Sequence, residues 1–355
     1  MSVLVLARPD LLTMTPYASA RVEASDGEIW LNANESPWNP LADGRVNRYP
    51  DPQPRALIDA FATLYGVRPE QLLVGRGSDE PIDLLTRAFC RAGVDSVLVM
   101  PPTFGMYAVC ARVQGAGVRE LPLRAAEGFR IEMDEVLAQV DATTKIVYAC
   151  TPNNPTGNGT DPDALLALAE RLRGRAMLVV DEAYIEFSDR PSLCARAGTP
   201  DNLVVLRTLS KAHGLAGVRI GVAVAADAVI ALLRRIMAPY PLPEPSIDAA
   251  NYALTAPALQ ATAARVALLR ADRERMRDAL RRCAAVREVL PSEANFLAVR
   301  FDDANARYAE LARAGIIVRK LMKYPGLEDA LRISIGSIEE NEAVLSVLGQ
   351  RRVAA

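Results

Sequence analysis

The segment from Arg207 to Arg219, RTLSKAHGLAGVR, holds Lys211 among small and apolar neighbours. A lysine in such a setting can be desolvated, which lowers its pKa and makes its amine a nucleophile toward carbonyls; without partners it reads as an ordinary surface residue. A second candidate stands after the apolar run that ends at Val180, where Asp181, Glu182, Ala183 and Tyr184 follow. An acid at a strand end in apolar surroundings needs a positive or donating partner, and a protonated ring nitrogen would serve, with a helix N-cap as the structural alternative. A third run ends at Val74 and continues as Gly75-Arg76-Gly77-Ser78-Asp79-Glu80-Pro81 into a helical pattern. Glycines let backbone amides approach closely and a helix N-terminus favours an anion, so this is a candidate phosphate cup, or simply a helix cap. It is neither a nucleotide P-loop nor a dinucleotide fingerprint. The turn cluster Thr151 to Gly157, after Cys150, reads on its own as a loop. His213 is the only histidine, which excludes a multi-histidine metal site and any Ser-His-Asp arrangement, and it reads as a packing or hydrogen-bonding residue.

These positions are ends of a recurring pattern. Between residues 70 and 225, apolar runs at 71–74, 96–100, 145–150, 177–180, 203–206 and 220–225 alternate with helical periodicity at 81–91 and 162–173. Such alternation predicts an α/β fold with a mostly parallel sheet covered by helices on both faces, and ligands bind such sheets at the carboxyl ends of strands. A second α+β set follows: an arginine-rich helix at 265–282 and apolar runs at 296–301, 316–318 and 331–335. The proline-dense stretch 239–245 is the expected connector. The division predicted is an N-terminal arm, 1–40, packing with the smaller C-terminal set; a large domain, 41–243; and a small domain, 244–355.

Composition bounds the partners. The 355 residues are 50% hydrophobic with a formal net charge of -2, so nothing draws the chain as a whole toward nucleic acid or anionic lipid. Five cysteines, an odd number without CxxC spacing, suit reduced thiols in a cytoplasmic protein and give no zinc motif. No stretch of about 18 uncharged apolar residues is present, so no membrane association is expected.

Taken together, NNPTG at 153–157, DEAY at 181–184, SK at 210–211 and Arg219 stand in the order and approximate spacing of the aspartate-aminotransferase-like, fold-type I pyridoxal-phosphate enzymes, a family the chain resembles. Further segments are similar to its histidinol-phosphate aminotransferase subgroup: TPYASAR at 15–21, LNANESPW at 31–38, RYPDPQP at 48–54, GRGSDE at 75–80, PTFGMY at 102–107, SKAHGLAGVRIG at 210–221 and LRISIGSIEEN at 331–341. They span nearly the whole chain.

The resemblance implies a seven-stranded-type sheet in a three-layer large domain, pyridoxal 5'-phosphate as cofactor, and a homodimer. By it Lys211 would be joined to the cofactor aldehyde and then shuttle the substrate proton, while Asp181 would pair with the pyridine nitrogen. Asn154 and Tyr184 would bond the ring 3'-oxygen, and Phe104, where the subgroup usually has tyrosine, would stack on the ring. The phosphate would meet the amides of Gly77, Ser78 and Asp79, with Ser210, Arg219 and a partner's residue equivalent to Tyr49. Arg332 and Arg319 would grip the substrate carboxylate or phosphate, with Tyr17 and Asn34 closing from the arm. The implied reaction transfers an amino group between L-glutamate and imidazole-acetol phosphate, giving L-histidinol phosphate in histidine biosynthesis. An aromatic amino acid aminotransferase and a threonine-phosphate decarboxylase are the alternatives on this scaffold.

Overall fold

The computed structural model describes residues 2–20, 29–41 and 46–349. Its larger sheet has seven strands: β1 (Leu72–Arg76), β2 (Ser96–Val99), β3 (Gly117–Glu120), β4 (Thr144–Cys150), β5 (Met177–Asp181), β6 (Leu203–Thr208) and β7 (Ile220–Val224). Their order is β1-β7-β6-β5-β4-β2-β3, with β7 antiparallel to β1 and β6 and every other pairing parallel. Strands buried on both sides read as continuous apolar runs, which is why β4 to β7 were legible. Alternation sends Val147, Leu178, Val180, Val205 and Val222 to one face, against Leu57, Phe61, Leu165, Leu168 and Leu172. The opposite face carries Ile146, Tyr148, Val179, Val204 and Leu206, covered by Ile82, Leu85, Phe89, Val229 and Leu233.

Helix ends follow local chemistry. Asp161 accepts a hydrogen bond from the Asp163 N–H ahead of Pro162 in the helix Pro162–Leu172. The helix Asp79–Phe89 opens with Asp79 and Glu80 in its first turn, where acids complement the positive end of the dipole.

The second sheet is antiparallel, β10-β11-β9-β8, from β8 (Val286–Val289), β9 (Phe296–Phe301), β10 (Arg319–Lys320) and β11 (Ala330–Ser334). One face packs Leu297, Val299, Leu331 and Ile333 against Met276, Leu280, Leu311 and Val344 of its helices. Ala298, Leu321, Leu327 and Ala330 join the core of the larger sheet instead. The two layers are thereby joined along the cleft that carries the site. The arginine-rich stretch lies in the long helix Ala256–Leu280. The preceding helix, Glu244–Ala253, places Ile247 and Ala250 in the core of the larger sheet.

The packing of the N-terminal arm is corrected for its first turns. Val3, Leu6, Ala7 and Leu11 enter the core beside the helices over the larger sheet. The reason is complementary: these four form one apolar side, and hydrogen bonds from the Val3 N–H to the Asp201 carboxylate at 2.8 Å and from the Arg8 N–H to the Ala88 carbonyl at 2.9 Å pin it there. Residue 1 and residues 21–28 of the expected arm lie outside the described residues.

Candidate active site

The carboxyl ends of β1, β4, β5 and β6 open onto a cavity of about 490 Å³. Asp181 ends β5 and is buried there. Its Oδ2 accepts the Tyr107 hydroxyl at 2.7 Å and its Oδ1 the Ala183 N–H at 3.1 Å. Burial raises its pKa above the ordinary carboxylate value, an effect the Tyr107 hydrogen bond opposes. A buried acid facing a cavity in this way is matched by a cationic partner.

Lys211 stands in the turn after β6 and lines the same cavity, its Nζ 5.5 Å from the centroid of the Tyr184 ring. Its pKa is lowered, first by partial burial and then by the positive charge of Arg332, while Asp181 pulls the other way. Tyr184 packs edge-on against Phe296 with ring centroids 5.2 Å apart. Phe104 contributes a flat apolar wall and meets Tyr107 edge-on at 5.6 Å.

At the other end, Ser78 and Asp79 line the cavity at the start of a helix. Arg219 donates to Asp79 Oδ2 at 3.1 Å and to Ser210 Oγ at 3.4 Å, so a cation, a hydroxyl and a helix N-terminus converge. Arg219 itself adopts φ 60°, a strained setting for a side-chain-bearing residue, and its carbonyl accepts the Gly77 N–H at 2.9 Å. That bond corrects one expectation. The Gly77 amide is engaged by Arg219, leaving the Ser78 and Asp79 amides for an anion. Gly77 matters through its missing Cβ, which at φ 73° would run into the Arg219 guanidinium.

Arg319 and Arg332 are register partners across β10 and β11, and both line the cavity. Arg332 Nη1 donates to Asn154 Oδ1, so the asparagine carbonyl is engaged and its amide group is what remains to donate. Burial lowers the Arg332 pKa.

Besides Gly77, three expected residues are not brought to this cavity. Tyr17 and Asn34 are exposed, and Tyr49 lies stacked on Tyr240 with centroids 4.3 Å apart. Two residues of the site went unnoticed in the sequence. Tyr107, inside PTFGMY, is fully buried behind Asp181, stacked on Tyr148 at 4.5 Å. Tyr324 lines the cavity from the β10–β11 connection, where no motif marks it. Among the described residues no cluster of His, Cys, Asp and Glu could hold a metal ion, and no helix is long and apolar enough to cross a membrane.

A buried acid, a lysine of lowered pKa, a flat aromatic wall and a helix N-terminus with an arginine beside it thus line one cavity at the strand ends of an aspartate-aminotransferase-like sheet. The chain belongs to the aminotransferase class I and II family, whose model matches residues 23–348. It is 52% identical, over 99% of its own length and 98% of theirs, to the histidinol-phosphate aminotransferases of Xanthomonas euvesicatoria pv. vesicatoria and Stenotrophomonas maltophilia. The solved histidinol-phosphate aminotransferase from Sinorhizobium meliloti in complex with pyridoxal-5'-phosphate matches with TM-score 0.77 at 25% identity, covering 85% of this chain and 82% of that one. L-threonine-O-3-phosphate decarboxylase from Porphyromonas gingivalis shares the fold, with TM-score 0.73 at 24% identity over 85% of this chain and 90% of that one.

Proposed function

We propose that this chain is a histidinol-phosphate transaminase, exchanging an amino group between L-histidinol phosphate and 2-oxoglutarate in histidine biosynthesis. The observation that carries the reading is the placement of Lys211, Asp181 and the Arg319–Arg332 pair around one cavity, in a chain that matches curated histidinol-phosphate aminotransferases over its full length.

Pyridoxal 5'-phosphate, when bound, supplies an aldehyde that captures amines and a cationic ring that accepts the electrons of the Cα–H bond. The residues present fit it. Asp181 would face the ring nitrogen and keep it protonated, the cationic partner that its burial calls for. Lys211, whose pKa burial lowers, would hold the aldehyde through its Nζ and, with substrate present, would be the acid/base that moves the proton at the substrate Cα. Phe104 would stack on the ring face, and the Tyr184 hydroxyl and the Asn154 amide would donate to the 3'-oxygen. Ser78, Asp79, Ser210 and Arg219 would bind the phosphate. Arg319 and Arg332 present two guanidinium forks, suited to the glutamate carboxylate in one half reaction and to the substrate phosphate in the other.

The reading includes a cytoplasmic homodimer in which Tyr49 reaches the cofactor phosphate of the neighbouring subunit, and Tyr17 and Asn34 close over substrate. Its support is the resemblance of TPYASAR, LNANESPW and RYPDPQP, which carry Tyr17, Asn34 and Tyr49, to the corresponding family segments. The test is incubation with histidinol phosphate and 2-oxoglutarate, measuring glutamate, beside phenylalanine with 2-oxoglutarate and threonine phosphate alone. Glutamate formed fastest from histidinol phosphate supports the reading. Preferred turnover of phenylalanine, or carbon dioxide from threonine phosphate, replaces it with an aromatic aminotransferase or a decarboxylase.

A further inference from the structure

We propose that Arg207, held by Glu182 and Glu186, is a positioning residue: a buried charge clamp that fixes the turn carrying Lys211 against the strand end carrying Asp181. The proposal rests on the transaminase reading.

Arg207 lies on β6, four residues before Lys211, and does not line the cavity. Its Nη2 donates to Glu186 Oε1 at 2.6 Å and its Nη1 to Ser192 Oγ at 3.0 Å, with Glu182 Oε2 3.6 Å away. The guanidinium also sits over the Tyr65 ring at 4.9 Å. Glu182 directly follows Asp181, and its Oε1 accepts the Leu193 N–H at 2.7 Å. Glu186 lies in the turn Ile185–Phe187, just beyond Tyr184. The clamp therefore grips the chain on both sides of the site: after the acid and before the lysine.

The charges are deeply placed, the side chains of Arg207 and Glu182 being 8% and 1% exposed. Exchanging a buried ion pair for apolar residues of similar volume is often neutral or stabilising, so stability alone is a weak reason to keep one here. A geometric role is a better one. Among the described residues neither Asp181 nor Lys211 hydrogen-bonds the other across the cavity, so their spacing is set by what lies behind them: the β5–β6 register that pairs Asp181 with Leu206, and this clamp. The cluster extends to the far side of the lysine. Glu186 Oε2, Arg207 Nε and His213 Nδ1 are all buried without a partner, and the charges facing the His213 ring are Glu186, Arg207 and Arg265.

The experiment compares holoenzymes of wild type, Arg207→Lys, Arg207→Met and Glu186→Gln by thermal melting, by the pH midpoint of the cofactor's visible band without substrate, and by kcat and KM for glutamate and histidinol phosphate. A misplaced lysine lowers kcat, by about tenfold or more, and shifts the band midpoint, while KM stays within about twofold because Arg319 and Arg332 are untouched. Arg207→Lys should recover part of what Arg207→Met loses. Variants that melt earlier yet keep the wild-type kcat and band midpoint overturn the proposal, leaving the cluster a purely structural one. If Arg207→Met does not fold, Arg207→Lys and Glu186→Gln decide. If wild type shows the band but transaminates neither substrate, the functional reading fails, while the substrate-free midpoints still decide the clamp.

Discussion

Replacing Asp181 with asparagine should change stability in opposite directions with and without cofactor. Without cofactor, the carboxylate is buried against Tyr107 and the Ala183 N–H, and its pKa is raised by that burial. A carboxyl whose folded pKa exceeds its unfolded value favours folding when protonated, and that contribution is lost as pH rises through the folded value. Without a cationic partner in the cavity the apoprotein carries the cost of desolvating this carboxyl. Asparagine removes this cost, about 1–3 kcal/mol, but can keep only one of the two acceptor bonds, losing about 1 kcal/mol. A net gain of about 1 kcal/mol is expected, a rise in apoprotein Tm of about 2 °C. In the holoenzyme the same change deletes the partner of a buried cationic nitrogen, which costs about 2–5 kcal/mol. The Tm increment on adding cofactor should shrink by about 4 °C or more, and kcat should fall between about 30-fold and several thousandfold. Melting curves of both forms and a glutamate half-reaction assay check this. Equal loss of Tm in both forms, with kcat within threefold of wild type, would refute the assignment of Asp181 as ring partner.

Three further outcomes are expected. Arg332→Lys keeps a charge but loses the fork and the bond to Asn154, so KM for glutamate should rise about tenfold to a hundredfold in steady-state assays while kcat changes less. Gly77→Ala forces a side chain into a left-handed backbone setting and against Arg219, so cofactor Kd by spectroscopic titration should weaken, with a loss of apoprotein stability of about 1 kcal/mol. The rate at which apoprotein captures pyridoxal phosphate should rise with pH to a plateau whose midpoint lies below that of ordinary lysine, because Lys211 is deprotonated early. A midpoint at the ordinary value in stopped-flow capture would contradict that cause.

Much of this site was readable because it sits at the ends of strands buried on both faces. The runs ending at Val74, Val180 and Leu206 point to Ser78, Asp181 and Lys211, while Asn154, in a turn that reads on its own as a loop, stands out only through the family resemblance; the run 296–301 coincides with β9. Strand β3, Gly-Val-Arg-Glu, is an edge strand with both ends exposed and shows no apolar run. The run 316–318 is followed by the two-residue β10 rather than being a strand, and Ile317 points into solvent, 77% exposed. Tyr107 was invisible as a partner of Asp181 because 74 residues separate them and only the β2-to-β5 topology brings them together. Arg207 looked like any strand-end arginine, since its burial depends on carboxylates contributed by another segment.

The most direct test of the account is to reduce the holoenzyme with borohydride and map the peptide that carries the cofactor mass. Only four lysines are present, at 145, 211, 320 and 323. The account predicts the adduct on Lys211 alone and loss of the visible band in Lys211→Ala; an adduct on any of the other three, or an unchanged reducible band in that variant, would contradict it.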